Sequence, residues 1–294
     1  MNYDKKPSRT RAHAPAPTLE KKISAAIQLL KAAEAKATAK GGILEISYSG
    51  GKDSDVLLDL AKRAGIRYRA IYKCTTIDPP GTIAHVKSKG VEIIRPKETF
   101  AHIIQRKGYP THCRRFCCRI LKEYKIEDTA AQGIRKCESR KRKNLYKEPT
   151  ACRFYNSKKD HVEVFYPVLE WSNKDVEEYV NTNGVVCHPL YYDKSGKFHV
   201  ERRLGCMGCP QRADKGLAEF KNNPRLVRFW VKNAEIWWNT HPLKRLKLKF
   251  ADPYELFVRN TFFTSYENFK YAQEGLFGKI DCKKFLVEYF GINL

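Results

Sequence analysis

The stretch Ile46-Ser47-Tyr48-Ser49-Gly50-Gly51-Lys52-Asp53-Ser54 decides the fold of this chain. The apolar residues that end at Ile46 predict a buried strand, and the residues from Ser54 to Leu60 predict the opening of a helix. Glycines allow a tight turn and let backbone N–H groups approach an anion, and the start of a helix adds partial positive charge there. The stretch therefore predicts a phosphate-binding loop between a strand and a helix. An ordinary glycine turn is the alternative.

Strand and helix patterns alternate along the first part of the chain. The predicted strands and the helices that follow them are 43–48 with 54–64, 68–72 with a helix around 82–89, and 91–94 with a helix around 100–107. This alternation predicts an α/β fold with a doubly wound, mostly parallel sheet and helices on both faces. Ligands of such sheets bind beyond the carboxyl ends of the strands, where the glycine loop is expected.

The remaining segments suggest three regions. Residues 1–18 are rich in Lys, Arg and Pro and predict a flexible basic tail. A helix over 19–40 begins the main domain, which we place at 19–215. Residues 216–294 have a helical, aromatic pattern and predict a helical C-terminal extension, in which the aromatic side chains form core and not a base-stacking surface.

The composition indicates a polyanionic partner. Lys and Arg number 56 against 32 Asp and Glu, a formal net charge of +24. Such an excess favours nucleic acid or phosphorylated nucleotides, although a basic surface that serves solubility alone is the alternative. The chain shows neither a signal-peptide pattern nor an apolar stretch that could span a bilayer, so we expect a cytoplasmic protein with no membrane partner. In that reducing compartment the ten cysteines are expected as metal ligands, catalytic thiols or core residues.

Two cysteine pairs form the second signal. Cys117 and Cys118 are adjacent, whereas Cys206 and Cys209 are separated by two residues, a spacing that lets both thiolates face one metal centre. The pairs are far apart in the chain, so only the fold can bring them together. Adjacent cysteines suit tetrahedral zinc poorly, because neighbouring side chains diverge. A zinc site and plain core thiols remain as alternatives, as does Cys113 in place of one of the adjacent cysteines.

The glycine loop and the cysteine pairs together resemble the PAPS reductase (sulfonucleotide reductase) family of the PP-loop ATP pyrophosphatase superfamily. The loop is similar to the family's Ser-Gly-Gly-x-Asp-Ser, and Cys117 to Lys122 is similar to its Cys-Cys-x-x-x-Lys. Further similar segments are 75–80, 133–142, 166–172 and 188–191, so the resemblance covers about 43–215. In the segment 166–172, Ser172 is expected as a helix N-cap with Asp175.

The resemblance implies an adenine nucleotide alpha hydrolase-like fold and specific site residues. It implies a [4Fe-4S] cluster on Cys117, Cys118, Cys206 and Cys209, with Lys122 close enough to tune it. It implies catalytic roles for Lys52, Asp53, Arg135 and Glu138, with Arg135 gripping a phosphate or sulfate through a bidentate fork. It also implies that ATP with Mg²⁺, or APS or PAPS, contacts Ser47, Ser49, Gly50, Gly51, Asp53, Ser54, Thr76 and Asp78.

The resemblance to a reductase weakens toward the C-terminus. Such reductases attack the sulfur of APS or PAPS with a cysteine in a Glu-Cys-Gly-Leu-His segment near the C-terminus. In this sequence the last residues contain no such segment, and the thiol nearest to them is Cys282, whose neighbours predict a packed helix. We therefore expect a relative of the DndC-like DNA phosphorothioation proteins and tRNA thiolation enzymes, which adenylates or thiolates tRNA or DNA with sulfur from a donor such as a cysteine desulfurase. An APS/PAPS reductase that releases sulfite and a non-catalytic zinc-stabilised nucleic-acid-binding protein are the alternatives.

Overall fold

The computed structural model describes residues 17–155, 160–246, 248–274 and 278–294, so nearly all of the predicted basic tail lies outside the described residues. The strands are β1 Leu44–Tyr48, β2 Tyr68–Lys73, β3 Glu92–Ile94, β4 Thr129–Gln132, β5 Thr150–Phe154 and β6 His161–Phe165. The helices of the first part are α1 Leu19–Ala39, α2 Lys52–Ala64, α3 Thr82–Ser88, α4 Phe100–Lys107, α5 Phe116–Leu121, α6 Arg140–Leu145 and α7 Asn173–Asn183. The later helices are α8 Leu217–Asn222, α9 Pro224–Thr240, α10 Pro242–Arg245, α11 Pro253–Phe262, α12 Tyr266–Gln273 and α13 Cys282–Phe290.

The strands form one sheet in the order β3-β2-β1-β4-β6-β5. Every neighbouring pair is parallel except β5 and β6, which are antiparallel at one edge. In the centre, Ser47 at the end of β1 lies beside Ile71 of β2 on one side and Gln132 of β4 on the other. The predicted doubly wound, mostly parallel α/β sheet is confirmed, and the glycine loop leaves it at the carboxyl end of its central strand.

Local sequence signals account for where the helices flanking the site begin and end. The Ser172 hydroxyl accepts a hydrogen bond from the Asp175 backbone N–H and the Asp175 carboxylate accepts one from the Ser172 N–H, which confirms the predicted cap of α7. Helix α2 ends at Gly65, whose φ of 65° is a left-handed conformation that glycine adopts without strain. These two helices, with α1, pack on the sheet.

The buried side chains form two large cores. One lies between the sheet and α1, α2 and α7, and contains Leu30, Ile46, Leu57 and Trp171. The other joins α4 and α5 to the C-terminal helices, and contains residues such as Ile103, Phe116, Trp230 and Phe257. The aromatic residues of the C-terminal helices therefore build core, as predicted, and that core is shared with segments from before residue 215. Among the helices described, none has the length and apolar content needed to cross a bilayer.

Candidate nucleotide pocket and cysteine cavity

A pocket of about 330 Å³ opens at the carboxyl ends of β1, β2 and β4. This nucleotide pocket lies where doubly wound sheets bind ligands, and its volume suits a small molecule. The predicted residues that line it are Ser47, Ser49, Gly51, Lys52, Asp53, Ser54 and Glu138. Its lining also includes Lys73, Lys122, Tyr191, Arg142 and Arg203.

The glycine loop holds its shape through its own serines. The Ser49 N–H donates to Oγ of Ser54 over 3.2 Å, and the Ser54 hydroxyl donates to the Gly51 carbonyl over 2.7 Å. Gly50 has a φ of 77°, and a Cβ atom there would lie 3.1 Å from Leu204. This glycine therefore allows the tight turn of the loop without lining the pocket itself. The loop thereby presents Gly51 and the first turn of α2 to the pocket, the arrangement that binds phosphate in other folds.

Asp53 lies between two cations. Its Oδ2 accepts from Nζ of Lys52 over 3.2 Å, and its Oδ1 accepts from Nε of Arg135 over 2.7 Å. The Lys52 side chain is buried and its Nζ lies 5.4 Å from the centroid of the Tyr191 ring. The charge of Asp53 is therefore already balanced by protein groups, and the carboxylate fixes the geometry of the loop.

Arg135 is placed differently from the prediction. It is only 1% exposed, and its guanidinium bonds Asp53, the Trp171 carbonyl and Oδ1 of Asn173. With these partners taken, the expected fork for a phosphate is directed into the protein. Sequence spacing located the motif correctly, but it does not reveal whether a guanidinium faces the ligand or the interior.

Two other arginines line the pocket where a phosphate-binding fork was expected. Arg142 forms an ion pair with Glu138, and Glu138 also accepts from the Arg135 N–H over 3.4 Å. Burial and the nearby positive charge of Arg203 lower the pKa of Arg142 below its usual value. Two like charges brought together in a pocket favour an anion between or beside them. Arg203 stands next to Arg202 in a charged run, and only the fold brings it to this pocket.

Thr76 and Asp78 are not among the residues that line the nucleotide pocket, so their contact with a nucleotide stays a prediction. The Asp78 carboxylate accepts from the Thr75 N–H over 2.9 Å and from the Thr75 hydroxyl over 2.6 Å, while the Thr76 hydroxyl accepts from the Phe100 N–H over 2.8 Å. Both side chains therefore shape the loop after β2. That loop supports the second cysteine pair, because the Ile77 carbonyl accepts from the Met207 N–H over 2.9 Å.

The fold brings the two cysteine pairs to one small cavity, here called the cysteine cavity. It is lined by Thr75, Phe100, Cys117, Cys118, Leu121, Lys122, Cys206, Met207, Cys209, Pro210 and Trp230. Hydrogen bonding from the Cys117 thiol, together with the Arg115 guanidinium, lowers the pKa of Cys118 to about 6. Burial raises the pKa of Cys209. Cys113 is exposed and lines a different cavity, so the residues present favour Cys117 over Cys113 as the partner of Cys118.

The four thiols that line the cysteine cavity are candidate ligands for a metal centre. Among the described residues no three His, Cys, Asp or Glu side chains have the geometry to hold one metal ion. Zinc requires its four ligands about 2.3 Å from a single point, whereas each cysteine of a [4Fe-4S] cluster binds a separate iron. The structure brings four half-buried thiols to one small cavity, which is the convergence that either kind of centre requires.

Lys122 lines both the nucleotide pocket and the cysteine cavity. Desolvation opposes its positive charge, but the negative groups of Cys206, Asp78 and Cys118 prevail and raise its pKa. One cation thus lies between the pocket of the glycine loop and the four thiols. The two centres are neighbours in the molecule.

Comparisons with known proteins identify a family and several similar proteins. The family model described as the phosphoadenosine phosphosulfate reductase domain matches residues 43–212. An uncharacterized protein of Methanocaldococcus jannaschii is 28% identical over 207 residues, which are 65% of this chain and 47% of that protein. The adenosine 5'-phosphosulfate reductase of Streptomyces coelicolor is 28% identical over 149 residues, 48% of this chain and 58% of the reductase. The chain therefore spans about half the length of the curated relatives it matches. A crystal structure of the phosphoadenylyl-sulfate reductase of Candida auris aligns with a TM-score of 0.44 and 15% identity, over 64% of this chain and 93% of that one.

Proposed function

The chain belongs to the phosphoadenosine phosphosulfate reductase domain family, and from this membership we propose that it is a nucleotide-dependent enzyme that adenylates and thiolates a component of a nucleic acid. ATP with Mg²⁺ binds in the nucleotide pocket, and Cys117, Cys118, Cys206 and Cys209 hold a [4Fe-4S] cluster. The observation that carries the proposal is the position of Lys122, which lines both centres. Nucleotide activation and sulfur chemistry then take place side by side.

The protein groups suit an attack on the α-phosphorus of ATP. The N-terminus of α2 and the cations Arg142 and Arg203 hold the phosphates, while Arg135 keeps Asp53 in place. An oxygen of the target attacks the α-phosphorus, the bond to the bridging oxygen breaks, and pyrophosphate leaves. Hydrosulfide then displaces AMP from the activated atom and loses its proton, and this displacement exchanges no electrons. Where the donor is the persulfide of a cysteine desulfurase, a thiol reductant releases the hydrosulfide and is itself oxidised to a disulfide. When bound, the cluster would supply a site for sulfur or electrons beside the nucleotide.

Release of sulfite from APS or PAPS is the second candidate, favoured by the 28% identity to an adenosine 5'-phosphosulfate reductase. That reaction needs an accessible thiol as nucleophile. Cys282 is only 3% exposed at the first turn of α13, and burial with nearby carboxylates raises its pKa to about 12. These properties suit a core residue and count against Cys282 as that nucleophile, so the reductase reaction would need another thiol of the chain.

Anaerobic purification followed by iron, zinc and sulfide analysis tests the cluster. We expect iron and sulfide in similar amounts with visible absorbance, and their loss in Cys206→Ser and Cys209→Ser. Cys152→Ser is the matched control, because Cys152 is exposed on β5. Stoichiometric zinc without sulfide would contradict the cluster and support the zinc alternative.

A second experiment separates the two reactions. The purified protein is given ATP with tRNA or single-stranded DNA, and pyrophosphate release is measured. In parallel it is given APS or PAPS with thioredoxin, and sulfite is measured. We expect pyrophosphate that depends on the nucleic acid. Sulfite release without any nucleic-acid-dependent pyrophosphate would replace thiolation with the reductase reaction.

A further inference from the structure

A groove of about 720 Å³, larger than the nucleotide pocket, borders the cysteine cavity. Three separate segments form this groove, namely the loop before α5, the loop after Cys209, and the C-terminal helices with the turn that joins α10 to α11. Its lining includes Arg114, Arg212, Lys215, Lys249, Phe250, Arg259 and Tyr266. Pro210 lines both the groove and the cysteine cavity, so the two are adjacent.

The groove is strongly cationic. Five of its lining residues are Lys or Arg, and the described residues that line it include no Asp or Glu. Arg259 donates to Oδ1 of Asn260 over 3.0 Å, and Lys215 donates to the Phe263 carbonyl. Arg212 is paired with Glu219 over 2.8 Å, whereas no ion pair is found for Arg114, Lys249 or Arg259 within the described residues. Positive charges gathered in a concave surface, most of them without an ion-pair partner among the described residues, favour a polyanion.

Aromatic rings lie among these cations. Phe250 and Tyr266 are half-buried, pack edge to face with centroids 5.5 Å apart, and line the groove. Lys249 lies over the Tyr266 ring with its Nζ 5.2 Å from the centroid. The groove also contacts the buried Trp237, whose Nε1 has no hydrogen-bond partner among the described residues. Flat apolar faces beside a row of cations are the features with which proteins hold single strands, because bases stack on rings while the phosphates meet Lys and Arg.

We propose that this groove binds an unpaired strand of the nucleic acid, with Lys249 and Arg259 on its phosphates and Phe250 and Tyr266 under its bases. The proposal rests on the proposed function and names where its substrate is held. A strand is favoured over a duplex because the rings lie in the walls of the groove, where only unstacked bases expose their faces to them. Since Pro210 joins the groove to the cysteine cavity, a strand bound there lies beside the sulfur site.

Fluorescence anisotropy with labelled single-stranded RNA and DNA oligonucleotides tests the proposal. We expect Lys249→Ala/Arg259→Ala to weaken binding about tenfold at physiological salt and to reduce the slope of log affinity against log salt by about 1.4, since each phosphate contact on a single strand contributes roughly 0.7. The matched control is Lys31→Ala/Arg67→Ala, which removes one Lys and one Arg from exposed positions. Lys31 lies on α1, and Arg67 follows α2. A groove variant that binds as tightly as the control would overturn the proposal.

A second pair of variants separates base stacking from simple charge attraction. Tyr266→Ala and Phe250→Leu keep every cation, and we expect each to weaken oligonucleotide binding about fivefold or more while heparin binding is unchanged. If these variants lose oligonucleotide and heparin binding equally, the nucleic-acid assignment is overturned. It is also overturned if poly-glutamate binds as tightly as the oligonucleotide and its binding is lost in the same variants, and that result would indicate an acidic protein partner. Equal affinity for a blunt duplex would overturn the single-strand assignment.

ATP affinity is measured in every variant to establish that the fold is intact, because the nucleotide pocket contains none of the substituted residues. If a variant has lost ATP binding, the milder pair Lys249→Gln/Arg259→Gln replaces it, with the same expected loss of oligonucleotide binding. The outcome is independent of the proposed reaction. If the groove binds oligonucleotide but the protein shows no nucleic-acid-dependent pyrophosphate release, only the proposed function is contradicted. If pyrophosphate release depends on nucleic acid but the groove variants bind oligonucleotide normally, only the groove proposal is contradicted.

Discussion

Arg135 donates from its Nε to Oδ1 of Asp53 over 2.7 Å, so the loop after β4 holds the first turn of α2 directly. The two side chains belong to motifs far apart in the chain, and each looks like a ligand-binding group when it is considered alone. In the fold they form an ion pair with the arginine almost fully buried. Arg135 is therefore a positioning residue for the glycine loop.

Replacing this arginine is expected to destabilise the protein. Arg135→Ala leaves the Asp53 carboxylate without its buried partner, and breaking such a pair costs about 3 kcal/mol of the free energy of unfolding. Urea unfolding followed by circular dichroism measures the change. Arg140→Ala, at an exposed position, is the control and should stay within about 0.5 kcal/mol of the parent protein. An Arg135→Ala protein as stable as that control would show that the pair contributes little.

Gly51→Val is expected to abolish measurable ATP binding. A Cβ at Gly51 already lies 3.3 Å from the Tyr191 hydroxyl and 3.4 Å from the Ser49 hydroxyl, and the two further methyl groups of valine occupy the space a phosphate needs. Isothermal titration with ATP gives the affinity. Gly42→Val provides a control, since a Cβ there makes only an ordinary 3.6 Å contact with the Ala37 carbonyl. Unchanged ATP affinity in Gly51→Val would remove the nucleotide assignment.

The pH dependence of thiol alkylation tests the electrostatics of the cysteine cavity. Because the pKa of Cys118 is lowered to about 6, its thiolate is populated above that pH. In metal-free protein its alkylation rate should rise between about pH 5 and 7 and then level off, whereas an ordinary thiol, with a pKa of about 8.5, continues to gain reactivity up to about pH 9. Peptide mass spectrometry identifies the modified residue, and Cys118→Ser should remove the early phase. A midpoint near pH 8.5 at Cys118 would contradict the assigned environment.

The exposed cations of α6 are expected to add to nucleic-acid affinity without affecting ATP. Arg140 and Lys141 are exposed, whereas Arg142 lines the nucleotide pocket and is left intact. Arg140→Ala/Lys141→Ala should reduce the salt slope of tRNA or DNA binding by about one to two units, since each lost phosphate contact removes roughly 0.7 to 0.9. Affinity titrations at several salt concentrations measure it, with Lys31→Ala/Arg67→Ala for comparison. A slope equal to that of the comparison protein would exclude α6 from the interface.

Cys282 is expected to be dispensable for catalysis. Cys282→Ala keeps a small apolar side chain in the second core, so we expect nucleic-acid-dependent pyrophosphate release and any sulfite release to stay within about twofold of the parent protein. Both products are measured on the same preparations. Loss of sulfite release in Cys282→Ala, with ATP affinity retained, would identify this thiol as a nucleophile and restore the reductase reading.

The sequence predicts the central part of the sheet well because β1, α2 and β2 have strong local signals. An apolar run, two glycines and an amphipathic helix follow one another there, and the observed bounds differ from the predicted ones by at most two residues. The strands β4 and β5 carry no such signal. Thr129–Gln132 is a short Thr-Ala-Ala-Gln segment, and Thr150–Phe154 is mostly exposed, so neither shows an alternating apolar pattern. Their strand form depends on pairing with β1 and β6.

The site residues show the same division between local and long-range information. The cysteine pairs and the glycine loop are recognisable because their spacing is itself the signal. The inward direction of Arg135, the arrival of Arg203 at the pocket and the position of Lys122 between two centres depend on packing between segments distant in the chain. The groove takes its walls from three such segments, so no contiguous pattern indicates it.

Gly208 explains how closely the C-terminal helices are tied to the cysteines. A Cβ at this position would lie 2.6 Å from Nε1 of Trp230 and 2.7 Å from the Phe220 ring, and a Cβ at Gly216 would lie 2.6 Å from Cα of Gly208. The turn between Cys206 and Cys209 thus packs directly against side chains of α8 and α9. A chain cut after residue 215 would keep all four cysteines yet lose the surface that shapes half of their site. Any protein in which other segments replaced these helices would need a new support for that turn, so the two cysteines depend on a part of the chain that contributes no ligand.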